Sequence, residues 1–146
     1  MSSFKKISNQ IETLGDVNCG FEIHTTESIL KISLDGACGI GSQGENYGTY
    51  IYQSIGLALL IHQPIGIIID LRDLTYEYGD RILSLFQVFS DVRPMGDDTI
   101  NAYVLSDKNK YGLSALLHLN LDELKPPFFD DYQTTFDHVF KLYNAI

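Results

Sequence analysis

Residues 64–74 read Pro-Ile-Gly-Ile-Ile-Ile-Asp-Leu-Arg-Asp-Leu, and this stretch determines the fold that the sequence predicts. Its apolar run is nearly unbroken and rich in β-branched residues, which is typical of a strand covered on both faces. Such a strand lies at the centre of an α/β sheet. Asp70, Arg72 and Asp73 add charge at its end. In α/β proteins the carboxyl edge of the sheet is where sites are placed, so we look for function there.

The chain of 146 residues predicts one domain, residues 1–146, whose first 20 residues form a polar N-terminal segment. Its hydrophobic content of 45% predicts a packed core rather than disorder. The formal net charge of −9 argues against nucleic acid or an anionic membrane surface as a partner, because both would repel the protein. The same charge suits a basic protein partner.

Cys19 and Cys38 do not form a C-x-x-C pair, so we expect reduced thiols and a cytoplasmic location. No apolar run reaches the roughly 18 residues of a membrane-spanning helix. The N-terminus lacks the apolar stretch of a signal peptide. The four histidines show no metal-ligand spacing, and we predict neither a metal nor a cofactor; they are His24, His62, His118 and His138.

Strands alternate with helices along the chain, which predicts crossover units and a mostly parallel sheet with helices against it. The predicted helices are a short one at 8–14, then 45–63, 79–92, 110–119 and 133–143. The predicted strands are 21–25, 28–34, 65–71, 100–105 and 128–129. The first two strands form an antiparallel hairpin with a tight turn at Thr26-Glu27. The predicted fold class is therefore α/β, with a mixed, mostly parallel sheet, an N-terminal β-hairpin and about four helices.

The strand at 28–34 alternates apolar residues with Lys31, Ser33 and Asp35, so one of its faces lies in water. As an edge strand it could also pair with a second copy of the chain in a homodimer.

This pattern resembles the STAS domain, the fold of anti-sigma-factor antagonists and of sulfate-transporter tails. The segments that carry the resemblance are an early strand and its loop at 29–36, the central strand at 67–76, the next strand at 100–106, and the last strand and helix at 128–136. The resemblance implies a non-enzymatic regulatory domain that binds another protein.

The family's functional signature is an Asp-Ser-Ser-Gly turn after the central strand, in which a partner kinase phosphorylates a serine. Here the matching residues are Tyr78, Gly79, Asp80 and Arg81, so the phosphorylatable serine is missing. Asp80 stands at the second serine position, where a carboxylate suits the start of a helix. It either charges that helix start or mimics a permanently phosphorylated serine.

The predicted partner-binding residues follow the central strand. They are Asp73, Tyr76, Glu77, Tyr78, Asp80 and Arg81. Exposed tyrosines favour protein contacts. An alternative is a bacterial immunity protein that neutralises a basic toxin, since acidic proteins associate quickly with basic ones.

Two further alternatives belong to other functional classes, a nucleotide-binding protein and a small hydrolase. Gly39, Gly41 and Gly44 form a G-x-G-x-x-G loop between a strand and a helix, which is the context of a nucleotide-binding loop. Ser114 and His118 share a helix face and could serve a small hydrolase. The stretches 66–74 and 103–117 also have a weaker resemblance to crotonase-like folds and carboxy-terminal processing proteases.

Overall fold

A computed structural model describes residues 3–13, 15–39, 45–92 and 100–146 of the chain. The strands are β1 (Phe4–Ile7), β2 (Asn18–His24), β3 (Ile29–Ala37), β4 (Gly66–Thr75), β5 (Ile100–Val104) and β6 (Phe128–Phe129). The α-helices are α1 (Glu45–His62), α2 (Ser84–Val92), α3 (Lys110–Leu117) and α4 (Tyr132–Asn144). Two 3-10 helices, Arg81–Leu83 and Leu121–Glu123, precede α2 and follow α3.

The six strands form one sheet in the order β1-β2-β3-β4-β5-β6. The first three strands are antiparallel, whereas β3, β4, β5 and β6 pair in parallel. The predicted fold class is confirmed: the sheet is mixed and mostly parallel, an antiparallel hairpin opens it, and four α-helices pack on it.

β4 is central because both of its faces are buried. Ile67 and Ile69 lie in the larger core, which α1 and α2 cover. Ile68 lies in a smaller core on the opposite face, with Val139 of α4. Full burial of such side chains contributes roughly 1.5–3 kcal/mol each, so the apolar run that predicts the strand also accounts for the layers around it.

The N-terminal segment differs from its prediction. No helix forms in residues 8–13, and Leu14 lies outside the described residues. Instead Phe4–Ile7 adds the edge strand β1, where the Phe4 ring contacts the rings of His24 and Phe136 at centroid distances of 5.2 and 6.0 Å. Asn9 then links the segment after β1 to β2, since its Nδ2 donates to the Cys19 carbonyl at 3.0 Å.

The predicted two-residue turn of the hairpin is wrong, because four residues, 25–28, separate β2 from β3. The His24 ring organises this turn: its Nδ1 accepts hydrogen bonds from the backbone N–H groups of Thr26 and Glu27, at 3.2 and 3.0 Å. The prediction that β3 could pair across a homodimer is also wrong, since β2 and β4 occupy both of its edges.

α4 begins at Tyr132, one residue before its predicted start at residue 133. Asp131 caps the helix, and its Oδ2 accepts from the backbone N–H of Thr134 at 2.8 Å. This cap, with the packing of α4 on β4 and β5, fixes one border of the sheet's carboxyl edge. Among the residues described, no helix has both the length and the apolar character to cross a membrane.

Candidate functional site

The predicted site residues lie where β4 runs past its neighbour. β5 pairs with β4 only as far as Asp70, whereas β4 continues to Thr75. The residues after β4 and those between β5 and α3 therefore meet at the carboxyl edge of the sheet. We call Asp73, Tyr76, Glu77, Tyr78, Asp80 and Arg81 the carboxyl-edge surface; all of them are exposed except Tyr76.

Asn109 joins the connection between β5 and α3 to the end of β4. Its side chain is buried, and its Nδ2 donates to the carbonyls of Leu71 and Leu74 at 2.5 and 2.9 Å. Its Oδ1 accepts from the backbone N–H of Ser106 at 3.1 Å. Because this one side chain bonds two carbonyls of β4 and one N–H of the connection between β5 and α3, Asn109 fixes the position of the end of β4. Nothing in its local sequence distinguishes Asn109 from an ordinary turn residue, and sequence reasoning missed it.

Tyr76 has an internal role in this arrangement. Only 2% of the residue is exposed, and its hydroxyl donates to the carbonyl of Gly79 at 2.5 Å. Burial, with smaller contributions from Cys38 and Asp80, raises the pKa of Tyr76, so the hydroxyl keeps the proton that it donates. Its backbone N–H donates to the carbonyl of Lys108 at 3.0 Å. Tyr76 therefore positions the loop, and its buried ring offers a partner almost no surface.

The segment around Asp80 is held by α1. A Cβ atom at Gly48 of α1 would lie 3.1 Å from the carbonyl oxygen of Arg81, so the helix and the 3-10 turn approach closely at a residue without a side chain. Gly79 has a φ of 116°, which turns the chain into this segment. Asp80 stands at the N-cap position of the 3-10 helix, yet its side chain makes no capping hydrogen bond. Its carboxylate is exposed instead.

The residues of the carboxyl-edge surface lie on two neighbouring faces of the protein. Asp73 lines a concavity of about 460 Å³ on the α4 side of the sheet, with Asp35 and Asp70. Glu77 lines a separate groove of about 350 Å³ against α3. Tyr78, with 58% of its surface exposed, is a large apolar residue of the loop that leads to Asp80 and Arg81. The structure thus groups Glu77 to Arg81, while Asp73 belongs to the neighbouring face.

Two cations of the concavity on the sheet face, Arg72 and Lys31, have carboxylate partners within the protein. Arg72 donates from Nε and Nη2 to the two carboxylate oxygens of Asp70, at 2.9 and 2.7 Å. Lys31 Nζ lies 3.5 Å from Glu22 Oε2. Lys31 and Arg72 also lie over the same Tyr132 ring, at 4.6 and 4.7 Å from its centroid. The alternation of β3 is the signal that predicts its water-facing side chains, but Tyr132 comes from a distant helix that this signal does not reveal.

The residues of the alternative hypotheses do not form a described catalytic or ligand site. Ser114 Oγ is buried and has no hydrogen-bond partner among the described residues, so it has no bond to His118 there. His118 follows α3 with a left-handed φ of 58°. Gly39 is described, but Gly41 and Gly44 lie outside the described residues. Within the described ranges no group of His, Cys, Asp or Glu side chains could hold a metal ion.

The two cysteines are free thiols with little reactivity. Burial raises the pKa of the Cys38 thiol to about 12, and the hydrogen bond with Tyr47 lowers it by less. Burial also raises the pKa of Cys19. Both thiols therefore stay protonated near neutral pH, where only a thiolate would act as a nucleophile.

The sheet order and the helices on its two faces define a STAS-like α/β fold. A crystal structure of an anti-sigma factor antagonist from Mycobacterium paratuberculosis is similar, with a TM-score of 0.62 and 15% sequence identity. The similarity covers 85% of this chain and 94% of that chain, and it confirms the resemblance that the sequence predicts at the level of the fold. Comparisons with protein families and with curated proteins found no match.

Proposed function

We propose that this protein is a non-enzymatic regulatory domain that binds another protein through the exposed residues Glu77, Tyr78, Asp80 and Arg81, with Asp73 at the border of the contact. One observation carries the proposal: an exposed tyrosine and several charged side chains lie on a loop that the rest of the fold holds in place. Tyr76 holds this loop through its hydrogen bond to the Gly79 carbonyl, and Asn109 holds the end of β4 from which the loop begins. Preorganisation of this kind lowers the cost of binding.

The charge of the protein supports a basic partner. The net charge is −9, and Glu77 and Asp80 contribute carboxylates at the surface itself. Opposite charge would speed the encounter of the two proteins. A basic toxin would satisfy the same requirement, so the immunity-protein hypothesis remains the second candidate. The shielded, free thiols suit a reducing compartment, and we propose a cytoplasmic location.

The residue at the family's second serine position supports a surface that is not phosphorylated at this turn. Where a family serine would stand, Asp80 presents an exposed carboxylate that caps nothing. An aspartate at this position needs no kinase to supply a carboxylate, so we propose that partner binding here does not depend on phosphorylation.

We expect the double variant Tyr78→Ala, Asp80→Lys to lose its partner in affinity capture from a lysate of the source cell. The change removes an aromatic contact and reverses a charge, and interface residues of this kind often contribute 2 kcal/mol or more. The purified pair should therefore bind at least about 30-fold more weakly in isothermal titration calorimetry.

A matched control is Leu60→Ala, Asp122→Lys, which truncates another exposed apolar residue and reverses another exposed carboxylate. This control should retain the partner. If the control loses the partner and the Tyr78, Asp80 variant keeps it, the assigned surface is wrong. If the wild-type protein captures no protein at all, the proposed function itself fails. If the captured partner is a basic toxin, the immunity role is favoured.

A further inference from the structure

A groove of about 350 Å³ lies between the loop after β4 and helix α3. Glu77 lines it from the loop, Asp107 and Lys108 line it from the connection between β5 and α3, and Tyr111 lines it from the helix. The groove is continuous with the carboxyl-edge surface, because Glu77 belongs to both. The sequence prediction included Glu77 but neither Asp107 nor Tyr111.

The groove has a fixed shape. Gly112 of α3 approaches the loop so closely that a Cβ atom there would lie 2.5 Å from the carbonyl oxygen of Glu77. The hydrogen bond from the Tyr76 N–H to the Lys108 carbonyl, 3.0 Å long, joins the two walls. Asn109 is itself part of the lining and is held by its own bonds to β4. A ligand would therefore meet walls that are already in place.

The chemistry of the groove favours a cation. The carboxylates of Glu77 and Asp107 are exposed, and neither forms a hydrogen bond or an ion pair with the described part of the chain. Lys108 supplies one positive charge but pairs with neither of them. This differs from the sheet face, where Arg72 and Lys31 each have a carboxylate partner.

The groove also presents an aromatic face. Tyr111 is 64% exposed, and its ring contacts no other ring in the residues described. The flat guanidinium of arginine stacks on such rings and binds carboxylates through two parallel N–H bonds, whereas the ammonium of lysine offers neither geometry. An exposed tyrosine beside two unpaired carboxylates therefore suits arginine better than lysine.

We propose that this groove binds an arginine side chain of the protein partner, between the carboxylates of Glu77 and Asp107 and the ring of Tyr111. The inference rests on the proposed function and specifies the chemistry of the partner. The guanidinium would stack on the ring and donate two hydrogen bonds to one carboxylate, while the second carboxylate adds attraction.

The test uses the full chain and short blocked peptides, and so needs no identified partner. The peptide Ac-Gly-Arg-Gly-NH₂ is titrated into the ¹⁵N-labelled protein, in parallel with the lysine peptide and with the neutral citrulline peptide. We expect saturable amide shifts at Glu77, Asn109, Tyr111 and Gly112 with the arginine peptide. The lysine peptide should bind several-fold more weakly, and the citrulline peptide should give no saturable shift.

Two variants assign the contacts. Glu77→Gln with Asp107→Asn should weaken arginine binding about tenfold, whereas Asp122→Asn with Glu123→Gln makes the same charge change on another exposed element and should leave it unchanged. Tyr111→Ala should weaken binding, and Tyr111→Phe should restore it because the ring face remains.

Several results would overturn the inference: equal shifts with citrulline, shifts spread over the acidic surface, binding retained in the Glu77, Asp107 variant, or no saturable shift with any peptide. The peptides test only the groove. Any of these results would therefore reject the arginine site without deciding whether the neighbouring loop captures a partner. Conversely, arginine binding without a captured partner would retain the groove and reject the proposed function.

Discussion

Replacing Gly36 by alanine is expected to destabilise the protein by roughly 3–5 kcal/mol, since it combines backbone strain of about 1–3 kcal/mol with overpacking of a similar size. Gly36 lies near the end of β3 with a φ of 104°, a conformation that residues with a side chain rarely adopt. A Cβ atom there would lie 1.8 Å from the carbonyl oxygen of Asp16, so the chain leading into β2 would have to move. Urea unfolding of the variant and the wild type measures the difference.

Two other glycines serve as controls that separate strain from overlap. Gly15 has open space around its Cβ position and no positive φ, so Gly15→Ala should change the unfolding free energy by less than about 0.5 kcal/mol. Gly79 has a φ of 116° but also open space, so Gly79→Ala should show strain alone. The expected order of destabilisation is Gly36, then Gly79, then Gly15. A Gly36→Ala variant as stable as Gly15→Ala would contradict the close packing of Gly36 against Asp16.

The central part of the fold could be predicted because its signal is local. The run from Ile67 to Ile69 contains little except β-branched side chains, and such a run is stable only where both faces of a strand are covered. Pro64 then marks the end of the preceding helix, and apolar residues at helical spacing predict the helices on either side of the strand. These features depend on neighbours along the chain, which the sequence displays directly.

β1 could not be predicted in this way. Its four residues, Phe4–Ile7, include two lysines and show no long apolar pattern. The strand forms because β2 offers it a free edge and because Phe4 meets His24 and Phe136, which are distant in sequence. Contacts of this kind are a property of the assembled fold, and a short polar segment gives no local sign of them.

The candidate site was predictable in place but not in detail. The charged end of β4 locates the carboxyl edge, and most residues chosen there are exposed. Tyr76 and Tyr78 look alike in the sequence, yet Tyr76 is buried and Tyr78 is 58% exposed. The difference arises because Gly112 of α3 packs closely against the ring of Tyr76. Tyr111 and Asp107 join the site through the packing of α3, and their sequence gives no hint of it.

Replacing Asn109 by leucine is expected to cost roughly 3–5 kcal/mol of unfolding free energy, because each buried polar group that loses its partner costs about 1–3 kcal/mol. The residue is 1% exposed, and its side chain satisfies two carbonyls and one N–H group. Leucine has a similar volume, so the loss would come from these unsatisfied groups rather than from a cavity. The measurement is again unfolding in urea, with amide hydrogen exchange of Tyr76 as a local probe of the joined loops.

A charge variant tests the same bonds through their pH dependence. In Asn109→Asp, an ionised carboxylate would face the carbonyls of Leu71 and Leu74, which offer it no donor. Its folded-state pKa would be raised, so the deficit in stability should be largest at neutral pH and should shrink as the pH falls and the carboxyl gains a proton to donate. If the difference in unfolding free energy between Asn109→Asp and the wild type grew as the pH fell, this assignment would be wrong.

Asn120 provides the matched control for Asn109→Leu. Its side chain also accepts a backbone hydrogen bond, from the N–H of Asp122 at 3.1 Å, but it is exposed at the start of a 3-10 helix. Asn120→Leu should therefore cost only about 1 kcal/mol, the usual value of a lost cap. Suppose instead that Asn109→Leu cost no more than this and that exchange at Tyr76 stayed slow. Other contacts would then hold the end of β4 to the connection between β5 and α3, and the preorganised surface on which the proposed function depends would need another explanation.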